Sequence, residues 1–177
     1  MTGLLLFYSC QPGSAKLPDA GTAISFNEAA ELDSIMKVID NETKSFFAGD
    51  YEAWTKTWSH QPYTAQAWNN SDGSSDAAIG WEQINTQGKN WIETYYKNGE
   101  VVIHPDYKRR TPMVKFFNEK TAYVTWEQLN ADDKKEYYRK SREMRIMEKE
   151  ADGWKIVNVS AFWDTDPKVH ADSLELD

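Results

Sequence analysis

The sequence predicts one α+β domain in which helices come first and a run of antiparallel strands follows. Three observations carry that expectation. Between Asn27 and Tyr95 apolar residues recur at the three-and-four spacing of amphipathic helices. From Glu100 onward the period changes to two, as in strands with one buried face. The length of 177 residues allows one substantial core and falls short of two ordinary domains.

Taken in order, residues 1–10 read as a lipoprotein-type signal segment: Gly3 to Tyr8 is apolar, Ser9 is small, and Cys10 is the single cysteine, which cannot form an intramolecular disulfide. Residues 11–26 carry Pro12, Gly13, Ser14, Pro18 and Gly21 with little apolar content and suit a tether. The domain is expected over 27–165. Leu32, Ile35, Met36, Ile39, Phe46 and Phe47 mark the buried stripe of a first helix, closed by Gly49. Asp50 then caps a second helix by accepting a first-turn amide, with Tyr51, Trp54 and Trp58 on one face.

A short strand is expected around Tyr63 to Trp68, and Asn69 to Asp76 reads as a polar loop. Trp81, Ile84, Gly88, Trp91, Ile92 and Tyr95 form the stripe of a third helix that ends at Asn98-Gly99. Strands are expected at Val101 to Asp106, Thr111 to Phe117, Thr121 to Leu129, Glu136 to Lys149 and Trp154 to Trp163, with turns at Asn118-Glu119 and Asp152-Gly153. Residues 166–177 read as a polar tail.

Composition narrows the function. Lys and Arg number 20 against 28 Asp and Glu, a net charge of −8 that opposes phosphate-backbone binding, so no nucleic-acid partner is expected. Eight Trp, nine Tyr and seven Phe call for a large core or an aromatic-lined cavity. No apolar run reaches the roughly 18 residues of a membrane span, leaving a lipid on Cys10 as the expected membrane contact. No His/Cys/Asp/Glu spacing suggests a metal site, and none is expected. The absence of a Gly-x-Ser-x-Gly elbow, a phosphate-cradling glycine loop and a Cys/His pair removes acyl and phosphoryl transfer, and no cofactor is expected.

Leu6-Phe7-Tyr8-Ser9-Cys10 resembles a bacterial lipobox, with Phe where Leu is usual. That resemblance implies cleavage before Cys10, its acylation, and a place in the cell envelope facing the periplasm or exterior. The order helix, Ala48-Gly49-Asp50, helix, loop, Gly80-Trp81-Glu82-Gln83-Ile84, and then Glu143-Met144-Arg145-Ile146 with Asp152-Gly153-Trp154-Lys155-Ile156, resembles the nuclear transport factor 2-like superfamily over Asn27 to Asp164. It is particularly similar to the SnoaL-like branch and to the association domain of calcium/calmodulin-dependent protein kinase II. The resemblance implies a cystatin-like α+β roll: a strongly curved antiparallel sheet wrapped around three helices as a cone, a pocket at the mouth, and dimerisation through the sheet's outer face.

Strand alternation proposes the pocket residues. If Trp154 and Ile156 point inward, so do Asn158, Ser160 and Phe162. A two- or four-residue turn at Asp152-Gly153 then puts Glu143, Arg145 and Met147 on the same face, whereas a one-residue bulge would instead turn Met144 and Ile146 inward. By resemblance to the kinase association domain, Arg145, Asn158 and Ser160 match its pocket positions, although its histidines at the last two are missing. Val157, Val159 and Ala161 are then expected on an apolar outer face buried in a homodimer.

Arg145 beside Glu143 would either grip a ligand carboxylate or form an ion pair that organises the core. His60, after Trp58-Ser59, is a candidate acid or base over the mouth, or a structural hydrogen-bonder. Trp58 and Tyr95, with Trp54, Trp81 and Trp91, would line the pocket or fill the core. The expected function is a lipid-anchored module that binds a small, partly apolar molecule without turnover, an anionic one if Arg145 serves as the clamp. The second is an isomerase, dehydratase or cyclase using His60, Glu127 or Glu143 for proton transfer.

Overall fold

The computed structural model describes residues 26–70, 72–96, 106–132, 134–164 and 168–175. Cys10, His104, the Asn98-Gly99 helix end and all of the expected strand Val101 to Asp106 except Asp106 lie outside them, as does the side chain of Tyr95. Among the described residues three α-helices, α1 (Glu28–Ala48), α2 (Tyr51–Thr55) and α3 (Trp81–Tyr96), accompany eight strands. The strands are β1 (Ala65–Asn69), β2 (Ser75–Ile79), β3 (Tyr107–Arg109), β4 (Met113–Asn118), β5 (Thr121–Ala131), β6 (Tyr137–Glu150), β7 (Gly153–Trp163) and β8 (Val169–His170). Among the described residues no helix is long and apolar enough to cross a membrane.

Local chemistry sets the helix corner. The Asn27 side chain accepts the Ala30 amide, starting α1. Gly49, at φ +71°, turns the chain left-handed and returns its amide to the Phe46 carbonyl. Asp50 accepts the Ala53 amide and starts α2. That helix is only five residues long, because after Thr55 the chain extends and Trp58 bridges in parallel to Ile156. The Ser59 amide donates to the Ile156 carbonyl and the Ile156 amide to the Thr57 carbonyl, both at 2.9 Å, so the segment behaves as an added strand edge.

The sheet runs β2-β1-β7-β6-β5-β3, with β4 also on β5 and β8 on β6. It is mixed, since β1 lies parallel to β7 while the other pairs are antiparallel. Two short strands appear where polar sequence predicted none. β2 follows a turn at Gly73, where φ is +86°, and pairs with β1 across the expected loop; β8 pairs with Tyr137 and Tyr138 from within the expected tail. Neither carries an apolar alternation that sequence periodicity could register.

One residue in β7 decides which side chains face the helices. Met147 lies opposite Ile156, but Ile146 lies opposite Asn158, so Val157 is an extra residue in β7. Strand β6 keeps one phase, and Ser141, Glu143, Arg145 and Met147 are all buried on the concave face. Strand β7 changes phase at the bulge. Beyond it Val159, Ala161 and Trp163 lie opposite Arg145, Glu143 and Ser141. Asn158, Ser160 and Phe162 lie opposite Ile146, Met144 and Arg142, on the convex face. The shared inner face expected for Asn158 and Ser160 with Arg145 is therefore corrected, and so is the outer placement of Val159 and Ala161. The sequence alternative that turned Met144 and Ile146 inward fails too, because the extra residue sits in β7 and not in β6.

The core fills the space between helices and concave face with Ile35, Ile39, Trp54, Trp58, Ile84, Val124, Trp126, Met147, Trp154 and Ile156. Gly88 in α3 lies directly against Trp54: a Cβ there would come within 2.3 Å of the indole ring. Trp54 and Trp58, only 2% and 3% exposed, are core side chains.

Candidate functional site

Beyond the apolar core, the concave face carries a continuous chain of polar side chains. Alternation in β5 and β6 turns Gln128, Asn130, Ser141, Glu143 and Arg145 inward, and the pairing of β3 with β5 adds Tyr107 and Arg109. Arg109 pairs with Asp40 of α1 and donates from Nε to Gln128 at 3.1 Å. Gln128 donates to Asn130 at 2.8 Å, Asn130 to Ser141 at 3.0 Å, and Ser141 to Glu143 Oε1 at 2.7 Å. Glu143 Oε2 receives Arg145 at 3.1 Å. Hydrogen bonds in such a chain polarise one another and fix each rotamer.

Glu143 and Arg145 are 4% and 7% exposed, so this is a buried ion pair, whose desolvation cost is offset only if its remaining groups find partners. Arg145 also donates to the Met144 carbonyl at 2.9 Å and lies 5.0 Å from the centre of the Trp126 ring. Its Nε, however, is buried and has no acceptor among the described residues. The indole nitrogen of Trp58 is in the same state.

Sequence reasoning missed Glu42. It sits on the buried stripe of α1, three residues after Ile39 and four before Phe46, and a carboxylate in that register was the signal available. Its Oε1 accepts from the Trp54 indole at 3.2 Å and its Oε2 from Thr43 at 3.2 Å. Burial pushes the Glu42 carboxyl above the usual carboxylate range, against the pull of the Arg145 charge, and Glu143 adds to the rise.

The sign of the consequence follows. As pH rises, the unfolded chain releases this proton first, so the native state loses stability between the ordinary carboxyl pKa and the raised one. Glu42→Gln is expected to be more stable than wild type at pH 7.5, with the urea midpoints converging below about pH 4.

The other expected site residues lie elsewhere. His60 is exposed, stacks on Trp81 with ring centres 4.0 Å apart, and its Nε2 meets the Thr55 carbonyl at 2.9 Å. Those contacts hold it at the end of α2, and none of its hydrogen bonds joins the polar chain. Ser160 donates to Asn158 at 3.0 Å on the convex face. Glu127 is also convex, bound by Arg110, Lys140 and Arg142, which leaves it no role on the concave side. No cluster among the described residues could hold a metal ion. A cavity of about 260 Å³ opens beside Asn130, Arg139 and Trp163 at the end of the polar chain; Arg145 does not line it and is joined to its Asn130 wall only by the hydrogen bonds through Ser141 and Glu143.

No protein-family model and no curated protein matches the sequence. Solved structures do match. The association domain of CaMKII from C. elegans aligns at 19% identity and TM-score 0.56, covering 76% of this chain and 96% of that one. A cystatin-like fold protein from Burkholderia xenovorans aligns at 20% identity and TM-score 0.54, over 80% and 97%. A candidate dehydratase of the NTF2-like family from Streptomyces avermitilis aligns at 12% identity and TM-score 0.55, over 78% and 99%. The fold is thus the nuclear transport factor 2-like, cystatin-like α+β roll. The matched structures range from a kinase association domain to a candidate dehydratase, so the fold alone does not set the chemistry, which rests on the site.

Proposed function

We propose that the chain is a small-molecule-binding module, held in a bacterial cell envelope by a lipid on Cys10, whose concave face takes a partly apolar ligand bearing a carboxylate. The single observation that supports it is the unspent Nε–H of Arg145. A purely structural ion pair in so buried a place would satisfy all its donors, whereas a carboxylate oxygen supplied by a ligand would complete this one. Aromatic neighbours such as Trp126 and Trp163 suit the ligand's apolar part. A thermal-shift screen is expected to return aromatic and aliphatic carboxylates and to leave neutral sterols without effect. A hit list of neutral molecules alone would overturn it. Intact mass of protein from its native membrane tests the anchor; an unmodified Met1 to Asp177 chain would remove that part.

Glu42 supports a second reading, in which a carboxyl whose pKa burial raises moves a proton for an isomerase, dehydratase or cyclase reaction. Turnover that survives Glu42→Gln would exclude it.

The homodimer belongs to the same proposal: the β7 bulge turns Val159 and Ala161 inward and Phe162 outward, so the apolar contact would be formed by Met113, Met144, Ile146 and Phe162 of the convex face. Met113, Ile146 and Phe162 are 71%, 37% and 49% exposed, large apolar side chains turned to solvent on one face, which a second copy would cover. Sedimentation is expected to give a dimer at micromolar concentration and a monomer for Ile146→Asp. A wild-type monomer would contradict this.

A further inference from the structure

A second concavity lies away from the polar chain, between α1, the end of α2 and the β6–β7 hairpin, and encloses about 750 Å³. Its charge runs against that of the whole protein. In a chain of net charge −8, five lysines line this groove against three acids.

The acids are already committed. Glu31 accepts Lys149 and the Trp154 indole, each at 2.7 Å, and these bonds hold its carboxyl below the usual range. Asp152 accepts Lys155 at 2.9 Å, and Asp50 accepts the Ala53 amide at 2.9 Å. Lys155, only 9% exposed, donates in addition to the Lys56 carbonyl at 2.7 Å and is fixed in the groove wall.

Lys37, Lys44 and Lys56 are left with no anionic partner among the described residues. Lys37 and Lys44 stand seven residues apart on α1, two turns, or roughly 10 Å along the axis. Val38, Ala53 and Trp154 supply apolar surface between the charges. Ammonium groups of one sign around a concavity concentrate anions there, and the volume is that of a small-molecule site.

We propose that this groove is a binding site, separate from the Arg145 face, for a small molecule that carries two or more carboxylate or phosphate groups. The two lysines of α1 set the spacing of its charges, and Lys56 closes the third side. The site does not depend on the function proposed for the concave face.

Calorimetric titration of the full chain with citrate and with pyrophosphate, at low salt and pH 7, tests it. Saturable binding of at least one of the two is expected, weakened at least tenfold by Lys37→Glu with Lys44→Glu. A control with the same change in net charge outside the groove, Lys115→Glu with Lys134→Glu, is expected to bind as wild type. Tenfold is about 1.4 kcal/mol, within reach of two charge contacts. Matching urea midpoints for the two double variants will show that both are folded. Equal losses in both variants, no loss in either, or no saturable binding would each overturn the proposal. So would flotation with phosphatidylglycerol vesicles in the absence of any citrate or pyrophosphate binding, since that outcome assigns the lysines to a membrane surface.

Discussion

Arg145→Met is expected to destabilise the domain by about 3–5 kcal/mol, because it leaves the Glu143 carboxylate buried without its cation. Glu143 would keep only the Ser141 hydroxyl as a donor to its side chain, and the four-member run from Gln128 to Glu143 would end on an unpaired carboxylate. The loss should come from the orphaned charge and not from lost packing. Glu143→Leu combined with Arg145→Met is therefore expected to recover most of it, since replacing both partners of a buried pair by apolar groups is often neutral. A double-mutant cycle in urea gives the coupling directly. Additive losses would mean that the two residues do not depend on one another.

Trp54→Ala is expected to cost a similar amount, about 3–5 kcal/mol, by emptying the centre of the core. The informative partner is Gly88. Alanine is the better helix former by about 1 kcal/mol, yet Gly88→Ala is expected to destabilise by about 1–3 kcal/mol. Its methyl would press on the Trp54 ring at 2.3 Å. The ring has nowhere to retreat: Phe46, Trp58 and Trp81 stand with centres 5.8, 5.9 and 5.8 Å away, and its nitrogen is bonded to Glu42. In the Trp54→Ala background the obstruction is gone, and Gly88→Ala should change sign and become stabilising. Thermal unfolding of the four proteins decides it. The same destabilisation by Gly88→Ala in both backgrounds would show that the close approach is not what keeps this glycine.

What could be read in the sequence was what local chemistry controls. Asn27, Gly49 and Asp50 mark helix ends through bonds to their own neighbours, and the stripes of α1 and α3 follow from spacing alone. Strand β6 was legible because it keeps one phase over its whole length. Strand β7 was not, because Val157 is as apolar as Ile156 before it and Val159 beyond it, and nothing in its type announces an unpaired residue. That one insertion moved Asn158 and Ser160 to the far face and brought Val159 and Ala161 in. His60 misled for a related reason: its position after α2 was correct, but its stacking on Trp81 is a tertiary contact that spacing does not encode. Glu42 was visible in the register of α1, where an acid interrupts an apolar stripe.

The concave-face site is tested most directly by intrinsic-fluorescence titration of a carboxylate hit into wild type, Arg145→Lys, and Asn158→Ala with Ser160→Ala. Lysine keeps the charge beside Glu143 but loses the fork and the Nε–H, so affinity is expected to fall at least tenfold, about 1.4 kcal/mol. The convex-face double variant is expected to bind as wild type. Unchanged affinity in Arg145→Lys, together with a loss in the Asn158 and Ser160 variant, would place the ligand on the other side of the sheet and contradict the assignment.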